Sequence, residues 1–234
     1  VTKAIQTDIY ICKGNEVESY EPRFTYHGFK YVEITGLSEK PNLSDYTGWL
    51  VRTDVKRIGE FKSSDPLINK FYDVSMWTLE DNIQGILTDC PHRERCAWLG
   101  DTYVVAEMAS FNFNMKKFWQ KTVADFETVL GADVPHDGEG LPADPRAPCN
   151  IGVGKRHCKQ ARPDWGAATI MVPWFSYLYY NDLDIVSQSW PMMTGWMAYL
   201  DEIVVKDGII EQGYGDWCPP GDKEMIDTPK SLTS

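Results

Sequence analysis

The residues best equipped for chemistry lie together in residues 88–101, TDCPHRERCAWLGD, where Asp89, Arg93, Glu94, Arg95 and Asp101 surround a single tryptophan, Trp98. Carboxylates and guanidinium groups around an indole suit a sugar. The flat ring covers a pyranose face, ionised aspartates accept hydrogen bonds from vicinal hydroxyls, and one carboxyl can protonate a leaving oxygen. Taken alone, a charge-rich loop of this kind serves equally well as a salt-bridged turn.

Elements that read as helices flank this loop. Upstream, SSDPLINKFYDVSMWTLEDNI offers Ser64 as N-cap and Pro66 in the first turn, and sets Leu67, Phe71, Val74, Trp77 and Leu79 at mostly helical spacing. Downstream, residues 101–113 and 115–130 read as helices. Val104, Val105, Met108 and Phe111 form an apolar stripe on the first, and Gly131 ends the second. Residues 132–163, rich in Gly and Pro, are longer than a compact domain keeps as a passive connection and are expected to lie over the mouth of a site. Helices at about 165–180, with Pro173 as a kink, and at about 185–205 follow, and WPMM and GWMAYL between Trp190 and Leu200 are expected in the core. Such a succession predicts an all-α bundle or toroid. Before it, residues 8–60 alternate short apolar runs with turns, which is a strand pattern. The expected class is mainly α with a β N-terminal portion.

Composition narrows the partners. With 34 acidic against 23 basic residues in 234, the formal charge of -11 disfavours a nucleic-acid groove. No run reaches the roughly 18 apolar residues that a membrane-spanning helix needs. Nine Trp and twelve Tyr suit a carbohydrate site, though they also suit a large core. The cysteines Cys12, Cys90, Cys96, Cys149, Cys158 and Cys218 lack the tight pairing of a disulfide scaffold and read mostly as free. Together with His92 and His157, several of them could offer soft metal ligands, but zinc-knuckle spacing is missing and neither metal nor cofactor is expected.

The motif DCP, RER, W and GD in residues 89–101 resembles the active-site signature of the bacterial α-L-rhamnosidases, glycoside hydrolase family 78, whose usual form is close to DCPQRERLGWLGD. Cys96 and Ala97 stand where Leu and Gly are common, and the register of the carboxylates is kept. YEPRFTYHGFKYVEITG at 20–36 resembles the segment that closes a β-sandwich before the catalytic barrel in that family. RPDWGAATIMVPWFSYLYYND at 162–182 and YGDWCPP at 214–220 resemble later landmarks of the barrel.

The resemblance implies a partial (α/α)6 barrel of the six-hairpin glycosidase type preceded by the end of a β-sandwich. Residues 1–60 would be the C-terminal part of the sandwich domain and residues 61–234 the N-terminal half of the catalytic barrel. The implied activity is inverting hydrolysis that releases terminal α-L-rhamnose from glycosides or polysaccharides. Glu94 matches the general acid, Asp89 and Asp101 the aspartates that hold sugar hydroxyls, and Arg93 a residue that touches the sugar or orients the acid. Trp98, Trp165 and Trp217 would wall the rhamnose pocket. The general base is expected beyond residue 234, since Glu202, Glu211 and Glu224 lie in no context resembling it. As the acid, Glu94 must hold its proton near neutral pH, so burial or the charges of Asp89 and Asp101 must outweigh Arg93 and Arg95. Asp101 could equally be the N-cap of a helix that starts at Thr102. A non-catalytic carbohydrate-binding protein and a helical partner-binding protein are the alternatives.

Overall fold

The structure, a computed structural model, describes residues 5–131, 144–153, 162–203, 205–206 and 209–210. Among these the helices are α1 Pro66–Asn82, α2 Leu99–Asn112, α3 Lys116–Thr128, α4 Pro163–Gly166, α5 Ala168–Tyr180 and α6 Leu183–Ile203. A short antiparallel pair, β1 Val205–Lys206 and β2 Ile209–Ile210, follows them. A short connection folds α6 back on α5. Within it, Asn181 takes the left-handed conformation (φ 51°), which Asn tolerates better than most side chains.

The core lies where α5 packs against α2, α3 and α6. The buried face of α2 is built from Leu99, Thr102, Ala106, Ala109 and Ser110. Such small side chains let a neighbouring helix approach closely. Larger groups from adjoining elements, including Phe113, Met115, Trp119, Phe126 and Val172, fill the space around it. Trp119 is fully buried, and its indole N–H donates to Ser110 Oγ at 3.0 Å.

Several expected details are corrected here. The N-cap of α1 is Asp65, whose Oδ1 accepts from the Leu67 amide at 2.8 Å, and not Ser64. On α1, Met76 and Leu79 are buried, whereas Leu67, Phe71, Val74 and Trp77 are more than half exposed. On α2 the expected stripe divides: Val105 and Met108 pack on the core, while Val104 and Phe111 face solvent. The helix expected at 165–180 is split at Ala167 into α4 and α5, and Pro173 lies inside α5. Trp190 and Met197 of α6 are exposed, while Met192, Trp196, Tyr199 and Leu200 are buried as expected. Cys149 is disulfide-bonded, contrary to the reading of mostly free thiols, whereas Cys12 and Cys90 are free. Cys158 and Cys218 lie outside the described residues.

Strands were expected over residues 8–60; among the described residues, 5–65 form no ladder, only a 3-10 turn at Leu43–Asp45 and an isolated bridge of Arg57 with Phe113. A strand is stable only beside another strand or a packed face. This segment is nevertheless anchored to the helices. The Ile58 and Gly59 amides donate to the Asn112 carbonyl at 2.8 and 3.1 Å, and the Thr53 amide donates to the Ile83 carbonyl at 2.7 Å.

Candidate active site

The motif between α1 and α2 is folded onto itself by its own polar groups. The Asp89 amide donates to the Cys96 carbonyl at 2.9 Å, and Asp89 Oδ1 accepts from the Cys96 amide at 2.9 Å. Two thiols grip the backbone of Glu94. Cys90 Sγ accepts from its amide at 3.1 Å, and Cys96 Sγ donates to its carbonyl at 3.3 Å. Closing so tight a loop puts Arg95 at φ 55°, a left-handed conformation that costs a non-glycine residue about 1–2 kcal/mol.

The turn aims Glu94 at its neighbours. Its Oε1 accepts from Arg93 Nη2 at 3.0 Å and its Oε2 from Trp98 Nε1 at 3.0 Å, leaving the side chain one-third exposed. The indole is fixed in turn by its backbone. Trp98 pairs with Ile151 in an antiparallel bridge flanked by the Leu99 amide on the Asn150 carbonyl and the Gly152 amide on the Ala97 carbonyl, both at 2.8 Å. Residues 150–152 belong to the stretch expected over the site, so that part of it does reach the motif. The rest of it, 132–143 and 154–161, lies outside the described residues.

Asp101 is the third residue of α2, whose N-cap is Trp98, so the N-cap role at a helix beginning with Thr102 is overturned. Burial pushes its carboxyl up to about 6, its own backbone amide opposes this, and the negative charges of Asp89 and Glu94 push it further up. Asp101 therefore lies within reach of the charges of Asp89 and Glu94. Trp165, on α4, lies against the first turn of α2, because a Cβ on Gly100 would fall 2.6 Å from its ring. Its indole also packs on the main core, so it floors the helix that carries Asp101. Trp217, with Asp216 beside it, lies outside the described residues.

Some contributors carried no legible signal. Asn150 is fully buried, and its carbonyl and its side-chain Oδ1 accept from Leu99 and Arg162 respectively. Tyr26 sits in a stretch singled out as a family landmark, yet nothing in its type assigned it to the site: its ring lies 4.7 Å from the Arg95 guanidinium carbon. No group of three or more His, Cys, Asp and Glu side chains is arranged to hold a metal among the described residues. What the arrangement offers is a buried carboxyl that keeps its proton towards neutral pH, a second carboxyl oriented by an indole, and a third bound into the loop.

Short helices stacked in hairpins, with a carboxyl cluster at a helix start, describe a six-hairpin glycosidase fold. Residues 56–234 match the bacterial alpha-L-rhamnosidase 6 hairpin glycosidase domain, and residues 1–52 match the bacterial alpha-L-rhamnosidase concanavalin-like domain. The chain belongs to the bacterial α-L-rhamnosidase family. It is 43% identical over 211 residues to an alpha-L-rhamnosidase of Formosa agariphila, covering 90% of this chain and 22% of that one. The crystal structure of Streptomyces avermitilis alpha-L-rhamnosidase complexed with L-rhamnose superposes with a TM-score of 0.81 at 30% identity, over 95% of this chain and 20% of the other. The alpha-L-rhamnosidase of Dictyoglumus thermophilum superposes with a TM-score of 0.76 at 34% identity, over 92% and 23%. The chain thus spans about a fifth of the length of the relatives it matches.

Proposed function

We propose that this chain is the proton-donating part of a longer α-L-rhamnosidase that releases terminal α-L-rhamnose from glycosides or polysaccharides with inversion. The observation that carries this reading is the alignment of Glu94 by Trp98 Nε1 within a cluster that also holds Asp89 and Asp101. Cleavage passes through an oxocarbenium-like state, in which an acid protonates the departing oxygen while a base activates water on the opposite face. Inversion needs roughly 6.5–9.5 Å between the two carboxyls, and the base is assigned to the part of the protein beyond this chain. Glu94 is the general acid, Asp89 and Asp101 receive sugar hydroxyls, Arg93 steadies the acid, and Trp98, Trp165 and Trp217 wall the sugar. The division near residue 60 separates the sandwich end from the catalytic barrel.

Asp101 favours a second reading. Its raised pKa makes it a proton donor in its own right. Leaving-group dependence in the whole protein separates the two. The acid's amide variant loses hydrolysis of rhamnosides with poor alkyl leaving groups by about 100-fold or more, but loses little with activated aryl groups that depart unprotonated. Glu94→Gln should behave so, and Asp101→Asn should weaken both substrate classes alike. The opposite pattern moves the acid to Asp101. Full activity of Glu94→Gln on both classes removes it from the reaction.

A further inference from the structure

The acid-bearing turn is held from outside the helical part. Arg95, next to Glu94 and strained at φ 55°, sends its guanidinium over the Tyr26 ring at 4.7 Å, while its Nε donates to the Pro91 carbonyl at 3.2 Å. Gln6 Nε2 donates both to the Gly28 carbonyl at 2.9 Å and to the His92 carbonyl at 3.1 Å. Gly28 presses so closely that a Cβ there would fall 2.9 Å from His92 Cβ and 3.0 Å from Pro91. The segment 6–28 therefore grips the turn that bears Glu94 at Pro91, His92 and Arg95.

We infer that Tyr26 is a positioning residue for Glu94, acting through Arg95 across the junction between the extended N-terminal segment and the helices. The physical route is short. A cation over an aromatic face is held in place without consuming its N–H donors, so Arg95 remains fixed while its neighbour's carboxylate stays directed to Trp98. Without the ring, the left-handed residue has less to hold it, and the turn relaxes towards backbone conformations that point Glu94 elsewhere. The inference rests on the proposed role of Glu94 and adds a partner to it.

The test uses Tyr26→Leu and Tyr26→Phe in the whole protein, with two readouts. In steady-state kinetics, Tyr26→Leu lowers kcat about tenfold on rhamnosides with poor leaving groups and under threefold on activated aryl rhamnosides. KM and inhibition by free rhamnose stay unchanged, and Tyr26→Phe, which keeps the ring, restores most of the loss. In amide hydrogen exchange, peptides covering 88–98 exchange at least tenfold faster in Tyr26→Leu, while those of α5 do not change. Equal losses on both substrate classes, a Phe variant as poor as Leu, or unchanged exchange in 88–98 would each overturn the inference. Failure of the underlying assignment looks different. There Glu94→Gln keeps its activity, while Tyr26→Leu still loosens the turn by exchange without altering leaving-group dependence.

Discussion

The extended segment 5–65 and the helical part from α1 to α6 draw on similar apolar residues and treat them in opposite ways. In the first, Ile5, Ile9, Ile11, Tyr31, Val32 and Trp49 are each more than 60% exposed. In the second, Leu99, Trp119, Phe126, Val172 and Trp196 are buried almost completely. Composition does not separate the two regions; availability of a packing face does. A helix satisfies its own backbone and offers an apolar stripe to whichever helix comes next, whereas an extended chain needs partner strands before it can bury anything. The polar ties at 53–59 and 6–28 connect the two parts, and the second of them bears on the acid.

The comparison is most open to attack at the centre of the helical part. Trp119→Ala removes a fully buried indole and its hydrogen bond to Ser110 Oγ, and should cost about 3–5 kcal/mol in urea unfolding of this chain. A loss under 1 kcal/mol would mean that the helices do not share a close-packed core. Gly59→Ala tests the tie between the regions. Its Cβ would fall 2.2 Å from the Phe111 carbonyl oxygen, an atom of helix backbone that cannot swing away, so about 2 kcal/mol should be lost. If the cost is instead near zero, the segment detaches freely and the anchoring is only apparent.

The buried carboxyl of α2 gives a pH signature. Asp101 has its folded pKa raised from 3.8 to about 6, so the native state holds more protons than the unfolded chain between those values. The sign follows from linkage: its contribution to stability is lost as pH rises through that window, and the penalty is complete above about 6. Asp101→Asn should therefore gain on the parent chain between pH 4 and pH 7, by about 1–2 kcal/mol after discounting for partial solvent access. Equal pH slopes for the two proteins would show that the carboxyl is not strained by burial.

How much of this was legible depends on what each signal measures. The candidate site in residues 89–101 was legible because it rests on residue types at fixed spacing, and the structure sets Glu94 against Trp98 at the start of α2, the helix that carries Asp101. Helices α1, α2, α3 and α6 were legible within a few residues from periodicity. Which face each one buries was not. Leu67, Phe71, Val74 and Trp77 form a regular stripe on α1 that faces solvent, while α2 buries a face of Ala, Ser and Thr that no hydrophobic pattern marks. Periodicity reports that a face is apolar, and only the neighbouring element decides whether it is covered. The strand pattern of residues 8–60 marks no ladder among the described residues, where only Arg57 forms a bridge, because alternation is silent about pairing. The approach of Tyr26 to Arg95 depends on distant segments meeting, which spacing does not encode.

The smallest expected effect bears most directly on the contrast between the regions. Trp49 is 72% exposed, in a segment with no ladder among the described residues, so Trp49→Ala in this chain should change stability by no more than about 0.5 kcal/mol. The same substitution costs an order of magnitude more at Trp119, although the side chain and the truncation are identical. The ratio therefore isolates burial from residue type. Measured side by side, similar losses at Trp49 and Trp119 would mean that the extended segment finds a packing partner in solution, a second copy included. A concentration-dependent midpoint for Trp49→Ala alone would identify that partner as another copy of the chain. A negligible loss leaves Trp49 and its exposed neighbours as apolar surface, while the same segment stays bound to the loop that carries Glu94 through Gln6, Tyr26 and Gly28.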